Sequence, residues 1–419
     1  MAKTGKTNKA SGANFVPVLL GGDANAYGMA RSFYEEYGVV SHAIGKGVFH
    51  ICKFSRLMHF DITEPRLEED EIFVETLRSF AKRFGGKPLV LAPCGDGYTK
   101  LLVRNQDALR DLYHFSIMTP DQFELLSTKD RFYRTCERFG LEFPKTDEVA
   151  KEGWRDYEPP FDFPVIMKPA NSPMYWNCSY EGKKKVFVVR NADEMRRILE
   201  GVYSSSYTDK FIVQDFVPGD DSRMRVMNCF SDRNGKVTMM CLGDVVLEEH
   251  TPEGIGSYGA IMTGYDMDIA EKIRGFLEEI GYIGFSNFDL KFDERDGSYK
   301  LFEINPRQGR SSYFTTASGK NLARYLVRDA LLAENRPCEI ATLDDEVLWT
   351  MVPLDVIRDY TQDPAVLERV ERLIAAKKVR YSYLSKDDCG MLRRMVFMKN
   401  QSNYREQYRN CFGHRHIDD

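Results

Sequence analysis

The first apolar run, residues 15–20 (FVPVLL), is short and unbroken, the pattern of a strand covered on both faces. Gly21-Gly22-Asp23 then turns the chain, and a helical pattern over 26–37 stops at Gly38. Residues 39–43 and 88–92 repeat the strand pattern, the latter ending in Pro93-Cys94-Gly95-Asp96-Gly97. Strands that end in Gly/Asp turns and alternate with helices predict a parallel α/β layer over 15–120. The Gly-Gly-Asp turn lacks the G-x-G-x-x-G spacing of dinucleotide sites. It reads as a strand-to-helix connection, which leaves a nicotinamide dehydrogenase without its fingerprint.

Beyond residue 120 the pattern becomes mixed α+β. Phe123, Leu126, Phe132, Cys136 and Phe139 recur at helical spacing over 121–140, ahead of Gly140 and Pro144. Strands are predicted at 161–167, 186–189 and 211–216, with a helix at 193–199 behind the N-cap Asn191. Two apolar runs, 224–230 and 237–242, flank Asp232-Arg233-Asn234-Gly235, a strong hairpin signal. Ile269, Ile273, Phe276, Leu277 and Ile280 line one face of a helix over 268–280. Two further strands, 285–292 and 299–304, meet through an Asp-Gly turn. Residues 364–377 carry helical patterning, and the chain finishes basic and aromatic, with Arg393, Arg394, Tyr404, Tyr408 and Arg409.

The length of 419 residues and a 43% hydrophobic content provide for several domains with sizeable cores. With 58 Lys+Arg against 63 Asp+Glu, the net charge is −5. That balance argues against a general nucleic-acid or anionic-membrane binder. No window is long and apolar enough for a transmembrane helix, and the polar, basic residues 1–14 read as a disordered tail rather than a secretory signal. Nine scattered cysteines without a C-x-x-C pair suit free thiols in a reducing compartment, so cytoplasmic location is expected.

The chemistry concentrates in Phe288-Asp289-Leu290-Lys291-Phe292 and Leu301-Phe302-Glu303-Ile304-Asn305-Pro306-Arg307. Alternation along a strand puts Glu303 and Asn305 on one face, with Phe302 and Ile304 on the other. Asp289, in the partner strand of the hairpin, can lie alongside them. Two carboxylates and an amide oxygen make a hard-oxygen set suited to Mg²⁺, or Mn²⁺ in its place; without a cation the same grouping is repulsive. The alternative is a solvated polar face. Lys168 ends a buried strand, where open α/β sheets gather ligand contacts, and Lys129 lies upstream in the helical segment.

The order of these features resembles the ATP-grasp ligases. Four stretches carry the likeness: STKDRFYRTCERFGLEFPKT (127–146), FPVIMKP (163–169), FIVQDFVPGDD (211–221) and GFSNFDLKFDERDGSYKLFEINPRQG (284–309). The resemblance covers about 121–318 and implies an ATP-grasp fold behind an N-terminal, Rossmann-like pre-grasp domain (15–120). It implies a central subdomain over 121–210, a large subdomain with the Mg-ATP site over 211–334, and a C-terminal extension over 335–419. It also implies that Lys129 and Lys168 contact ATP phosphates, that the backbone of Gln214, Asp215, Phe216 and Val217 reads adenine, and that Asp221 lies near the ribose. Asp289, Glu303 and Asn305 would hold the metal, and Arg307 would stabilise the transferring phosphoryl group.

Within the family, the layout is similar to the carboxylate–amine ligases, and over the whole chain to the D-aspartate ligases of peptidoglycan crossbridge synthesis. The expected reaction activates a carboxylic acid as an acyl phosphate and passes it to an amine, with D-aspartate and a cell-wall precursor as candidate substrates. Arg310 is a candidate fork for a substrate carboxylate, its alternative being a plain ion pair. His250, in the glycine-rich stretch 248–259, is a candidate base for the amine. Tyr175 and Trp176 are candidates to line an acceptor pocket, and Lys183 to Lys185 to help a phosphate lid. The loop after Lys168 departs from the family in lacking the usual lid glycines. Competing expectations are an ATP-grasp enzyme with a non-amine acceptor and a non-catalytic ATP-binding regulator. A homodimer is a further expectation.

Overall fold

Val16–Leu20 (β1) leads into Ala24–Tyr37 (α1), and the turn between them explains itself locally. The Asp23 carboxylate accepts from the backbone N–H of Asn25 and Ala26 at 3.1 and 3.2 Å and so caps the helix. Gly21 has φ 134°, and a Cβ there would stand 2.9 Å from the Cys94 carbonyl oxygen. The structure, a computed structural model, describes residues 13–127, 135–251, 254 and 256–412. Lys129 therefore lies outside the described residues, as does the middle of the helix expected over 121–140.

Ser41–Gly45 (β2), Met58–Thr63 (β3) and Leu89–Pro93 (β4) join β1 in a wholly parallel sheet of order β3-β2-β1-β4. Helices Asp70–Ala81 (α2) and Asp96–Asn105 (α3) belong to this layer, and Pro120–Ser127 (α4) leads out of it. β3 has no counterpart in the sequence expectation, because its outer residues are mostly half-exposed and break the apolar run.

A second, antiparallel sheet of order β5-β8-β6-β7 is built from Thr146–Val149 (β5), Val165–Pro169 (β6), Phe187–Val189 (β7) and Phe211–Asp215 (β8). The short helix Ser172–Trp176 (α5) and the longer Ala192–Ser204 (α6) accompany it, α6 capped by the Asn191 side chain. Trp154, Val165, Met167, Tyr175, Leu199, Tyr203, Tyr207 and Phe211 pack into a core of its own.

The third sheet has eight strands. Met224–Ser231 (β9), Val237–Glu248 (β10), Tyr258–Thr263 (β11), Gly284–Asp293 (β12) and Ser298–Asn305 (β13) form its main body. Glu339–Ile340 (β14), Leu348–Thr350 (β15) and Val379–Tyr381 (β16) complete it, with path order β13-β12-β9-β10-β11-β15-β16 and β14 beside β10. The expected C-terminal extension, 335–419, thus adds three strands outside its helical stretch, each too short to leave a period in the sequence. Both faces are covered: Val226 and Phe230 of β9 join one core with α1, while Met227 and Cys229 join the other. Helices Met267–Glu279 (α7), Tyr313–Ala317 (α8), Leu322–Ala330 (α9), Leu354–Tyr360 (α10), Pro364–Ala375 (α11) and Met391–Cys411 (α12) complete the chain's order. All nine cysteines are free, and among the described residues no helix is long and apolar enough to cross a membrane.

Candidate active site

The β12–β13 hairpin brings Asp289 directly opposite Glu303 and Asn287 directly opposite Asn305. Directly opposed residues project to the same face, so four oxygen-bearing side chains share one patch. Glu303 is exposed on the edge strand and Asp289 is half-buried. Tyr258 donates its hydroxyl proton to Asp289 Oδ1 at 2.7 Å, and Asn305 Nδ2 donates to Asp289 Oδ2 at 3.1 Å. Burial, and next the charge of Glu303, push the Asp289 carboxyl up to about 7. Among the described residues neither carboxylate has an ion-pair partner within 4 Å.

That pairing fits a hard divalent cation: both carboxylates offer oxygen, and their mutual repulsion is what a positive ion relieves. Among the described residues no three His, Cys, Asp or Glu side chains converge, so further ligands must be amide, water or phosphate oxygens. Asn305 Oδ1 here accepts from Arg307 Nη2 at 3.1 Å. An amide chain crosses three strands, Asn305 Nδ2 to Asn287 Oδ1 at 3.2 Å and Asn287 Nδ2 to Asn228 Oδ1 at 3.0 Å. Asn287, Asn228 and Tyr258 are absent from the sequence expectation. Asn287 carried a signal, since it lies two residues before Asp289 and hence on the same face.

Arg307 makes a bidentate pair with Asp96, at the start of α3 in the first sheet's layer, at 2.7 and 2.8 Å. A fork of this kind fixes the guanidinium plane beside Asn305. Arg310 pairs with Glu249 at 2.8 Å and donates to the Tyr404 hydroxyl at 3.3 Å. The ion-pair alternative is thus what this arrangement displays, with a largely buried acid as partner. Asp23 faces both arginines, although burial raises its carboxyl.

On the second sheet, β6 and β8 are antiparallel neighbours, and Lys168 Nζ lies 3.5 Å from Gln214 Oε1. Gln214 Nε2 donates to Thr146 Oγ1 at 2.9 Å. Residues 216–220 connect the second sheet to the third. Val217 is buried, and the Phe216 ring has Lys291 Nζ 5.4 Å from its centroid. The Asp215 side chain is held by Arg295, at the tip of the β12–β13 hairpin, at 2.8 and 3.3 Å. Asp221 accepts from Glu248 N and His250 Nε2, each at 2.9 Å.

Three lesser expectations change in the structure. His250 is buried, its ring tilted against Phe412 at 4.7 Å between centroids with Nε2 on Asp221, so it is no freely exposed loop base. Tyr175 is core, and Lys183 donates to the carbonyls of Trp176 and Cys178 at 2.9 and 2.6 Å instead of reaching over a ligand. Of the basic, aromatic finish, Arg393, Tyr404 and Tyr408 are buried.

An antiparallel sheet joined through residues 216–220 to a larger sheet bearing two opposed carboxylates is the arrangement of the ATP-grasp class. In fold the chain resembles an N5-carboxyaminoimidazole ribonucleotide synthetase crystallised with ADP, at TM-score 0.58 and 13% identity over 95% of this chain and 98% of that one. It also resembles the L-amino acid ligase from Bacillus licheniformis, at TM-score 0.54 and 15% identity over 77% and 75% of the two chains. In sequence it is 38% identical over 417 residues to the D-aspartate ligase of Enterococcus faecium (strain Aus0004), which spans 97% of this chain and 98% of the relative. No family model matches it. The protein is an ATP-dependent, ADP-forming carboxylate–amine ligase of the ATP-grasp fold. More narrowly, it belongs to the D-aspartate ligase family.

Proposed function

We propose that this enzyme activates D-aspartate and joins it to an amine of a peptidoglycan precursor in the cytoplasm. Identity with a D-aspartate ligase along nearly the whole of both chains supports the choice of acid. The site assignment is carried by one observation, the direct opposition of Asp289 and Glu303 with no ion-pair partner within 4 Å among the described residues. Asp289, Glu303 and Asn305 are the residues that would hold Mg²⁺, or Mn²⁺ in its place. Such a cation, when bound, offsets charge on the β- and γ-phosphate oxygens.

Lys168, with Lys129, is assigned to the ATP phosphates, the backbone of residues 214–217 to adenine, and Asp221 to the ribose. A carboxylate oxygen of D-aspartate attacks the γ-phosphorus, the bond to the bridging oxygen breaks, and ADP leaves. Arg307, already oriented by Asp96, faces the charge that develops on the transferring group. The amine nitrogen then attacks the acyl carbon, phosphate departs, and the nitrogen loses one proton. Arg310, paired with Glu249 here, is assigned to the one D-aspartate carboxylate that is not activated.

Phosphate release with ATP, Mg²⁺ and a lysine-containing cell-wall precursor tests this directly. D-aspartate is expected to support turnover at least about a hundredfold above L-aspartate, as a site with fixed charged partners discriminates. Equal rates with the two enantiomers would remove the substrate assignment.

A further inference from the structure

Six of the eleven large apolar side chains exposed among the described residues lie on two neighbouring segments. Met391, Leu392, Met395 and Met398 occupy the outer face of α12, and Phe49 and Phe54 stand on the loop beside it, each 52% to 80% exposed. The segments are one surface. Arg393 Nη1 donates to the carbonyls of Ile51 and Lys53, and the Asp388 carboxylate accepts from Ser55 Oγ and Arg56 N at 2.9 Å each. Arg56's guanidinium also lies beside Gly390, where the helix begins.

The spacing on α12 is that of one helical face, and the opposite face, with Arg393, Asn400, Gln401, Tyr404 and Tyr408, is buried. Phe54 has φ 61°, the left-handed region that a bulky side chain avoids, so its outward pose is held against local preference. Lys53, Arg56, Lys386, Arg394 and Lys399 are exposed around these side chains. No Asp or Glu occurs in 46–60 or 389–405, although the whole chain has a net charge of −5. Burial lowers the His50 imidazole, and Lys53, Arg393 and Lys399 lower it further, so these cations share one field.

We propose that this face docks on an anionic lipid surface, its methionine, leucine and phenylalanine side chains entering the interface and its rim of lysines and arginines meeting the headgroups. The charge pattern selects this occupant over a second copy of the chain, because two predominantly basic rims, flanked by Asp387 and Glu406 in sequence, repel each other. Long basic side chains also suit the boundary, with stems along apolar surface and heads in water. None of the exposed residues of this surface is assigned to ATP, metal or substrate, so the proposal stands independently of the substrate assignment.

Flotation of the full chain with vesicles tests it, comparing phosphatidylglycerol mixed into phosphatidylcholine with phosphatidylcholine alone. The expected result is binding to the anionic vesicles only, released by salt. Lys53→Glu with Lys399→Glu is expected to weaken the partition at least about tenfold. Met395→Asp with Met398→Asp is expected to do the same, with both variants keeping ATP turnover in solution. Equal binding to neutral vesicles, no binding to either, or unchanged binding by the charge-reversed variant overturns the proposal. So does a dimer in sedimentation that Met395→Asp with Met398→Asp converts to monomer, since the occupant is then a second copy.

Discussion

Two groups of acids on the third sheet stand in opposite electrostatic circumstances. Asp244 on β10 is gripped by Arg225 at 2.9 Å and by Arg369 at 2.5 Å, and Arg369 also holds Glu346. Asp289 and Glu303, on the same sheet, face each other with hydroxyl and amide donors but no cation at ion-pair distance among the described residues. The first group is matched within the fold. The second has no ion pair among the described residues, only the more distant charge of Arg307, and its repulsion holds the Asp289 carboxyl up. Acids on this sheet therefore divide by what opposes them, and the pair without an ion-pair partner is the one proposed above for the metal.

The sharpest way to break this contrast is Glu303→Gln, which removes one of the opposed charges at an exposed position. Turnover measured by phosphate release is expected to fall about a thousandfold, with the melting temperature nearly unchanged. Near-normal turnover would dissolve the distinction between the two groups. Asp244→Asn tests the other side: it strips two arginines of their shared partner and is expected to cost about 2 kcal/mol of stability in denaturant titration. Rates per folded molecule should persist.

Asp289→Asn should behave the other way in metal-free buffer, gaining about 1 kcal/mol, because an unmatched charge is removed. The sign with pH follows from linkage. The native Asp289 carboxyl keeps its proton up to about 7, whereas the unfolded one releases it near 3.8, so stability falls as pH rises between those values. Asp289→Asn should flatten that decline in melting curves without metal. A decline unchanged by the substitution would assign it to other groups. The smallest effect is expected from Tyr408→Phe, which deletes a hydroxyl bonded to the Glu248 carbonyl and should lower stability by about 1 kcal/mol.

The hairpin was legible because its period is local: alternation alone put Asp289, Glu303 and Asn305 on a shared face, and strand ends agree within a residue. Three of the four strands of the parallel first layer were legible from their apolar runs, and the half-exposed β3 was not. Asp96, which orients Arg307, lies 211 residues away in sequence, and no local pattern connects them. Tyr258 reaches Asp289 from a strand beyond β9 and β10, so only the folded sheet brings the two together. Arg393 misleads in the opposite direction. Its basic neighbourhood suggests surface, yet it lies buried over the Tyr27 ring, 4.3 Å from its centroid, with Asp388 at 3.1 Å. The net charge likewise averages away the basic rim around α12.

The aromatic-rich core of the β5–β8 sheet packs as a cluster separate from the other two. Among the described residues its β8 end is tied to the β12–β13 hairpin by an ion pair, Arg295 on Asp215. Tilting that lobe about residues 216–220 therefore stretches an ionic tether while leaving its greasy interior sealed. Brine weakens such tethers and spares oily contacts, so the ease of gaping belongs to the surrounding electrolyte more than to the strength of the core.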